Sequence, residues 1–120
     1  MIFGTRVVRS TDHVVILVEG DLDLSTAPEV RSAFQRCLAE GSIRFVVDLS
    51  RCDLIDSAGL GVLLGLLRRS RAAGGDLQLV VPVDHVREVF ESVDLDRVFV
   101  LHRTSDSAAH ALHEPAERTG

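Results

Sequence analysis

The chain has no tryptophan, no tyrosine and no lysine, and only two cysteines, three prolines and one methionine in 120 residues. Each shortage removes a class of function. Without Trp or Tyr to stack bases, and with a net charge of −5, the chain offers no basic stripe with interleaved aromatics. Direct nucleic-acid binding is therefore not expected. All thirteen basic residues are arginine, which reads as genomic base composition rather than function. Long apolar runs are missing too. Stretches such as Val14-Val15-Ile16-Leu17-Val18 are far too short to span a bilayer. The N-terminal MIFGTRVVRS lacks the charged start and apolar run of a secretory signal, so a cytoplasmic location without membrane insertion is expected. Cys37 and Cys52 show neither a CxxC nor a His/Cys zinc spacing and read as reduced thiols.

Hydrophobic residues make up 46% of the chain, which suits a packed core and one domain over residues 1–120. That domain has its core at about 7–112 and a polar tail at 114–120. Two strands, Phe3 to Arg9 and Val14 to Glu19, flank the turn residues Ser10-Thr11-Asp12-His13 and predict a hairpin. GDLDLSTAPE follows, with Ser25 or Thr26 as N-cap and Pro28 in the first helical turn. Val30, Ala33, Phe34, Cys37 and Leu38 recur at helical spacing up to a stop at Gly41. Residues Ile43 to Leu49 are nearly all apolar, the signature of a strand covered on both faces. A second helix is expected over Ser57 to Ala73, ended by Gly74-Gly75, and a strand over Leu77 to Val81. Asp84 reads as the cap of a short helix with Val86, Val89, Phe90 and Val93 inward. A strand at Val98 to Leu101 and a helix at Ser105 to His113 complete the series. Alternating strands and helices imply right-handed crossovers. The expected fold is α/β, a mixed, mostly parallel sheet of about five strands with about four helices.

The second helix carries three glycines in its first nine residues, though glycine costs about 0.8–1.0 kcal/mol against alanine in a helix interior. At helical spacing, Leu60, Leu63, Leu64 and Leu67 form a stripe expected to lie on the sheet. Ala58, Gly61, Val62, Gly65 and Leu66 form a second face ending at Arg69, small and apolar where charge would be usual. Either a partner approaches this face closely or a neighbouring helix of the same domain covers it. Gly59, Gly61 and Gly65 miss the dinucleotide spacing by one residue, and no Walker lysine follows. Nucleotide binding has only that pattern in its favour.

In open α/β sheets, ligands gather beyond the carboxyl ends of the strands. Two loops are expected there, carrying Asp21, Asp23, Asp53 and Asp56. Such carboxylates have the oxygen chemistry of a magnesium site, but they read first as solvated or, at Asp56 and Ser57, as helix caps. Ser57 lacks the GxSxG elbow of a hydrolase nucleophile, because Ile55 holds the first position. His110 and His113 lie one helical turn apart without further ligands nearby in sequence. All five histidines read as surface or core residues, so neither an enzyme nor a metal or cofactor is expected.

Gly20-Asp21-Leu22-Asp23, VVDLSRCDLIDSAGLGVLLG, GGDLQLVV and the segment Val86 to Phe99 together resemble the STAS domain. More narrowly, they are similar to stand-alone bacterial anti-sigma factor antagonists, over about Val7 to Leu112. The D-S-x-G-L-G motif at Asp56 to Gly61 is the most specific part. The resemblance implies a partner switch, in which the antagonist binds an anti-sigma factor and so frees a sigma factor for transcription. That partner is often a serine kinase of ATPase fold, which ejects the antagonist by phosphorylating it; a phosphatase restores binding. It implies a partner surface at Asp21, Asp23, Asp56, Ser57, Ala58, Gly59, Gly61, Val62, Gly65, Leu66 and Arg69. The usual phosphoacceptor position is occupied here by Ala58. Either the chain binds constitutively or Ser57 substitutes as acceptor. The first is preferred, since a shift of one residue points the hydroxyl elsewhere around the helix. The alternative function is a STAS-type accessory subunit of a membrane transport or lipid-trafficking complex, docked to another subunit.

Overall fold

The computed structural model describes residues 2–113; the tail expected at 114–120 lies outside them. Five strands run in chain order across one sheet: β1 (Gly4–Arg9), β2 (Val14–Glu19), β3 (Arg44–Arg51), β4 (Asp76–Val80) and β5 (Leu101–His102). β1 and β2 form an antiparallel hairpin, and the remaining neighbours pair in parallel. This mixed α/β sheet with four helices is the architecture that the alternating pattern predicts.

Strand order equal to chain order has a strict consequence. Right-handed crossovers that always step the same way must all fall on one face of the sheet. There lie α1 (Ala27–Ala39), α2 (Ser57–Ala72) and α3 (Asp84–Ser92). The inward residues of the strands meet them: Ile16, Phe45, Val47, Leu49 and Leu79 are fully buried with Phe34, Leu63 and Phe90. Among the described residues only α4 (Ser105–Ala111) covers the opposite face, where Ala108 and Leu112 bury Val46 and Val80. Burial on both sides explains why β3 reads as continuously apolar.

The C-terminal ends of α1 and α2 are set by glycine. Gly41 and Gly74 adopt φ of 102° and 92°, and each leads a Schellman turn. In the first, Ser42 N donates to Cys37 O at 3.0 Å; in the second, Gly75 N donates to Ser70 O at 2.9 Å. Ser70, the only buried polar side chain among the described residues, donates to Leu66 O at 2.8 Å.

Four expectations need correction. The last strand is not Val98 to Leu101 but Leu101–His102, preceded by a 3-10 turn at Leu95–Arg97. Asp94, at φ 61°, turns the chain there, so Val98 and Val100 face solvent although their composition suits a strand. Val93 is exposed as well, because it caps the end of α3. Asp84 is the first residue of α3 rather than its N-cap, a place that Val83 takes. Its carboxylate still suits the positive helix end. α4 stops at Ala111, two residues before His113.

Candidate functional site

The loops after β2 and β3 meet at the carboxyl edge of the sheet and are stitched together. Gly20 N donates to Arg51 O at 3.0 Å and Leu22 N to Leu54 O at 2.9 Å, and Asp56 N returns a bond to Leu22 O at 3.2 Å. Leu22 and Ile55 form a parallel bridge, with both side chains buried. The two loops thus extend the sheet by one short rung and act as one surface.

Two carboxylates on this rung, Asp23 and Asp56, are committed to holding it. Asp56 caps α2 by accepting from Gly59 N at 2.9 Å, while its other oxygen accepts from Leu24 N at 3.3 Å. Asp23 Oδ1 accepts from Ser25 Oγ at 2.8 Å, Ser25 N at 3.0 Å and Thr26 N at 3.1 Å. These bonds, that of the Ser25 hydroxyl foremost, hold the Asp23 carboxyl below the usual carboxylate range. Thr26 holds the N-cap position of α1, but its side chain makes no capping bond; its hydroxyl donates instead to Asp21 O at 2.7 Å. Asp21, Asp23, Asp53 and Asp56 do not converge on a common point as cation ligands would. From the first turn of α3, His85 Nε2 lies 2.6 Å from Asp53 O.

The structure divides the residues expected to form the partner surface. Asp56, Ser57, Gly61 and Arg69 are exposed, and Asp21, Asp23, Ala58 and Gly65 are half-buried. Arg69 lies twelve residues beyond Ser57, about 18 Å along the helix axis. Gly59, Val62 and Leu66 are inside. The buried arc of α2 runs through Gly59, Leu60, Val62, Leu63, Leu66, Leu67 and Ser70, while Leu64 turns half toward solvent. The helix packs against α1 as well as the sheet, so its apolar arc is broader than one stripe and centred differently. The neighbouring-helix reading therefore holds for Val62 and Leu66.

The three glycines accordingly do different work. A Cβ on Gly59 would lie 2.5 Å from Leu22 O and 2.9 Å from Ile55 Cγ1, so this glycine lets the rung sit against the helix start. Gly61 and Gly65 would meet nothing within 4 Å. They face open space, one turn apart, and leave a flat strip on the helix.

Two residues of the rim escape the residue-pattern reading. Leu24 is 76% exposed and Leu54 61%, one from each loop. The alternation Asp21-Leu22-Asp23-Leu24 carries the signal: if Leu22 turns in, Leu24 turns out. Large apolar side chains on ordered backbone beside a flat strip are suited to anchoring a protein partner. Cys52, on the same loop, is wholly buried and its thiol donates to Leu54 O at 3.3 Å. Burial pushes the Cys52 thiol up from its ordinary value, so it stays protonated at neutral pH. With Cys37 also buried, a thiol-reactive chromogen at pH 7.5 should leave the native protein unlabelled over minutes and count two thiols after denaturation.

Residues 5–102 match the family described as Mlab, STAS domain, and the chain belongs to the STAS domain family. Its relatives place it more narrowly among the anti-sigma factor antagonists. It is 33% identical over 90 residues to the anti-sigma-B factor antagonist of Listeria monocytogenes, covering 75% of this chain and 79% of that one. It is 32% identical over 99 residues to the putative anti-sigma factor antagonist BtrV of Bordetella bronchiseptica, covering 82% and 85%. The crystal structure of an anti-sigma factor antagonist from Mycobacterium paratuberculosis superposes with a TM-score of 0.84 at 26% identity, over 94% of this chain and 96% of that one.

Proposed function

We propose that this chain is an anti-sigma factor antagonist, acting by protein–protein contact and catalysing no reaction of its own. The anti-sigma factor, of the serine-kinase ATPase type, docks on the rung formed by residues 20–26 and 52–56 and on the outer strip of α2. By occupying it, the chain frees a sigma factor for transcription. The observation that carries the reading is the pairing of exposed Leu24 and Leu54 with the unobstructed strip at Gly61 and Gly65. The names of the relatives supply the partner class. Association is constitutive, because the acceptor position holds Ala58 and no hydroxyl. Ser57, exposed at the first position of α2, is the one alternative acceptor. Phosphate there would add about −1.5 to −2 charges next to Asp21, Asp23 and Asp56. The helix start tolerates that charge, but an apolar interface beside it does not.

Affinity capture from the native host, with mass spectrometry of bait and prey, tests both parts. An ATPase-fold anti-sigma factor held by bait unmodified at Ser57 is the expected result. Phosphate on Ser57 in the uncaptured pool, lost in Ser57→Ala, would overturn the constitutive reading while keeping the partner. Capture of transporter or lipid-trafficking subunits alone would overturn the antagonist reading.

A further inference from the structure

At the opposite end of the sheet from the docking rung, the β1–β2 turn meets the end of α4. Asp12 and His13 lie in that turn, and His113 follows α4 two residues after its last helical position. A hundred residues separate His13 from His113 in the chain, yet their rings stand 6.4 Å apart between centroids. The Asp12 carboxylate stands between them, with Oδ1 at 2.9 Å from His13 Nδ1 and Oδ2 at 3.3 Å from His113 Nε2. One ligand atom from each of the three lies within 4.8 Å of the others. Among the described residues this is the one such grouping of His, Cys, Asp and Glu.

We propose that Asp12, His13 and His113 bind a divalent transition-metal ion of the zinc class, which staples α4 to the β1–β2 hairpin. A tetrahedral ion with bonds of about 2.0–2.1 Å holds its ligand atoms roughly 3.3 Å apart. The carboxylate already stands at about that spacing from both imidazoles, so small ring rotations complete the set. Two imidazoles and one carboxylate select zinc, nickel or cobalt over magnesium or calcium, which want oxygen. The fourth position opens to solvent and takes water, since Asp12 and His113 are exposed. His13 is the fixed member: its side chain is 15% exposed, and Ser10 Oγ, 3.5 Å from its Nε2, is left to orient the ring once Nδ1 takes the metal. The Asp12 carboxylate supplies the one anionic ligand of the three.

The site lies away from the docking surface by the length of β2, six residues and about 20 Å. Metal binding there secures the one helix on the second sheet face without blocking a partner. The full chain, stripped with a chelator, should bind one zinc ion per molecule by titration calorimetry. Its melting temperature should rise by roughly 10 °C at zinc a hundredfold above Kd. Magnesium should produce neither effect. His13→Ala and His113→Ala should each abolish binding and the shift, and His85→Ala, at the other end of the sheet, should retain both. Absence of zinc binding by the wild-type chain, or equal binding by His13→Ala and His113→Ala, overturns the proposal.

Discussion

Gly61→Leu should weaken association with the anti-sigma factor about 100-fold while raising the melting temperature. The two effects have separate causes. A Cβ at Gly61 meets open space, so nothing inside the domain opposes the side chain. Position 61 is well inside α2, where glycine is the poorest non-proline helix former, and leucine recovers about 0.8 kcal/mol. For a domain of this size that is a rise of about 2–4 °C. On the outside, the same side chain stands in the middle of the proposed docking strip. Loss of a central contact region costs about 2–3 kcal/mol, which is the 100-fold. Gly65→Leu should behave alike, and Gly61→Ala should keep the stability gain with a smaller binding loss. Calorimetric titration and a thermal melt on the same samples decide it. A lowered melting temperature would mean that the strip is internal packing.

The largest loss of stability should come from Gly75→Ala, at about 3–5 kcal/mol. A Cβ there would overlap the Ile43 carbonyl group, which is backbone and cannot swing away. The neighbourhood is tight because two bonds cross it. Gly75 N closes the α2 Schellman turn on Ser70 O, and Asp76 N opens the β3–β4 ladder on Ile43 O at 3.0 Å. Adding the methyl forces one of them to part. Gly74→Ala is the informative control: its φ of 92° strains any L side chain, but the space around it is empty. A left-handed alanine costs about 1–2 kcal/mol. Urea denaturation should therefore rank the two adjacent variants clearly, and equal costs would refute the packing argument.

That pair also shows where the sequence is legible. Gly74-Gly75 announces the end of α2 from composition alone, because a C-terminal glycine is a local requirement. Which of the two is irreplaceable depends on Ile43, thirty-two residues from Gly75, and no local pattern holds that. The same distinction runs through the site. Asp56 as helix cap and the Asp21–Asp23 loop at the carboxyl edge follow from short-range rules. The rotation of α2 about its axis does not. Its first half is so rich in leucine, valine and glycine that two stripes fit equally well, and contact with α1 chooses between them. β5 is obscured for a different reason: an edge strand needs only two paired residues, so the apolar run before it need not be strand at all. The Asp12, His13 and His113 cluster was out of reach altogether, since only the return of α4 across the sheet brings its members together.

That return doubles back over strands already laid down, in a construction that otherwise adds each element beside the last. Each strand from β2 to β5 lays itself against the strand made just before it, so the chain grows as a staircase during synthesis. Each parallel pairing closes a crossover, such as Val14 on Phe45 or Arg44 on Asp76, so the sheet grows by one loop closure at a time. Until residues 105–112 emerge and fold back, however, Val46 and Val80 stay bare on the second face. A ribosome-bound chain ending near residue 103 should thus be an ordered sheet with one sticky side, and the last eight residues of the fold decide its solubility.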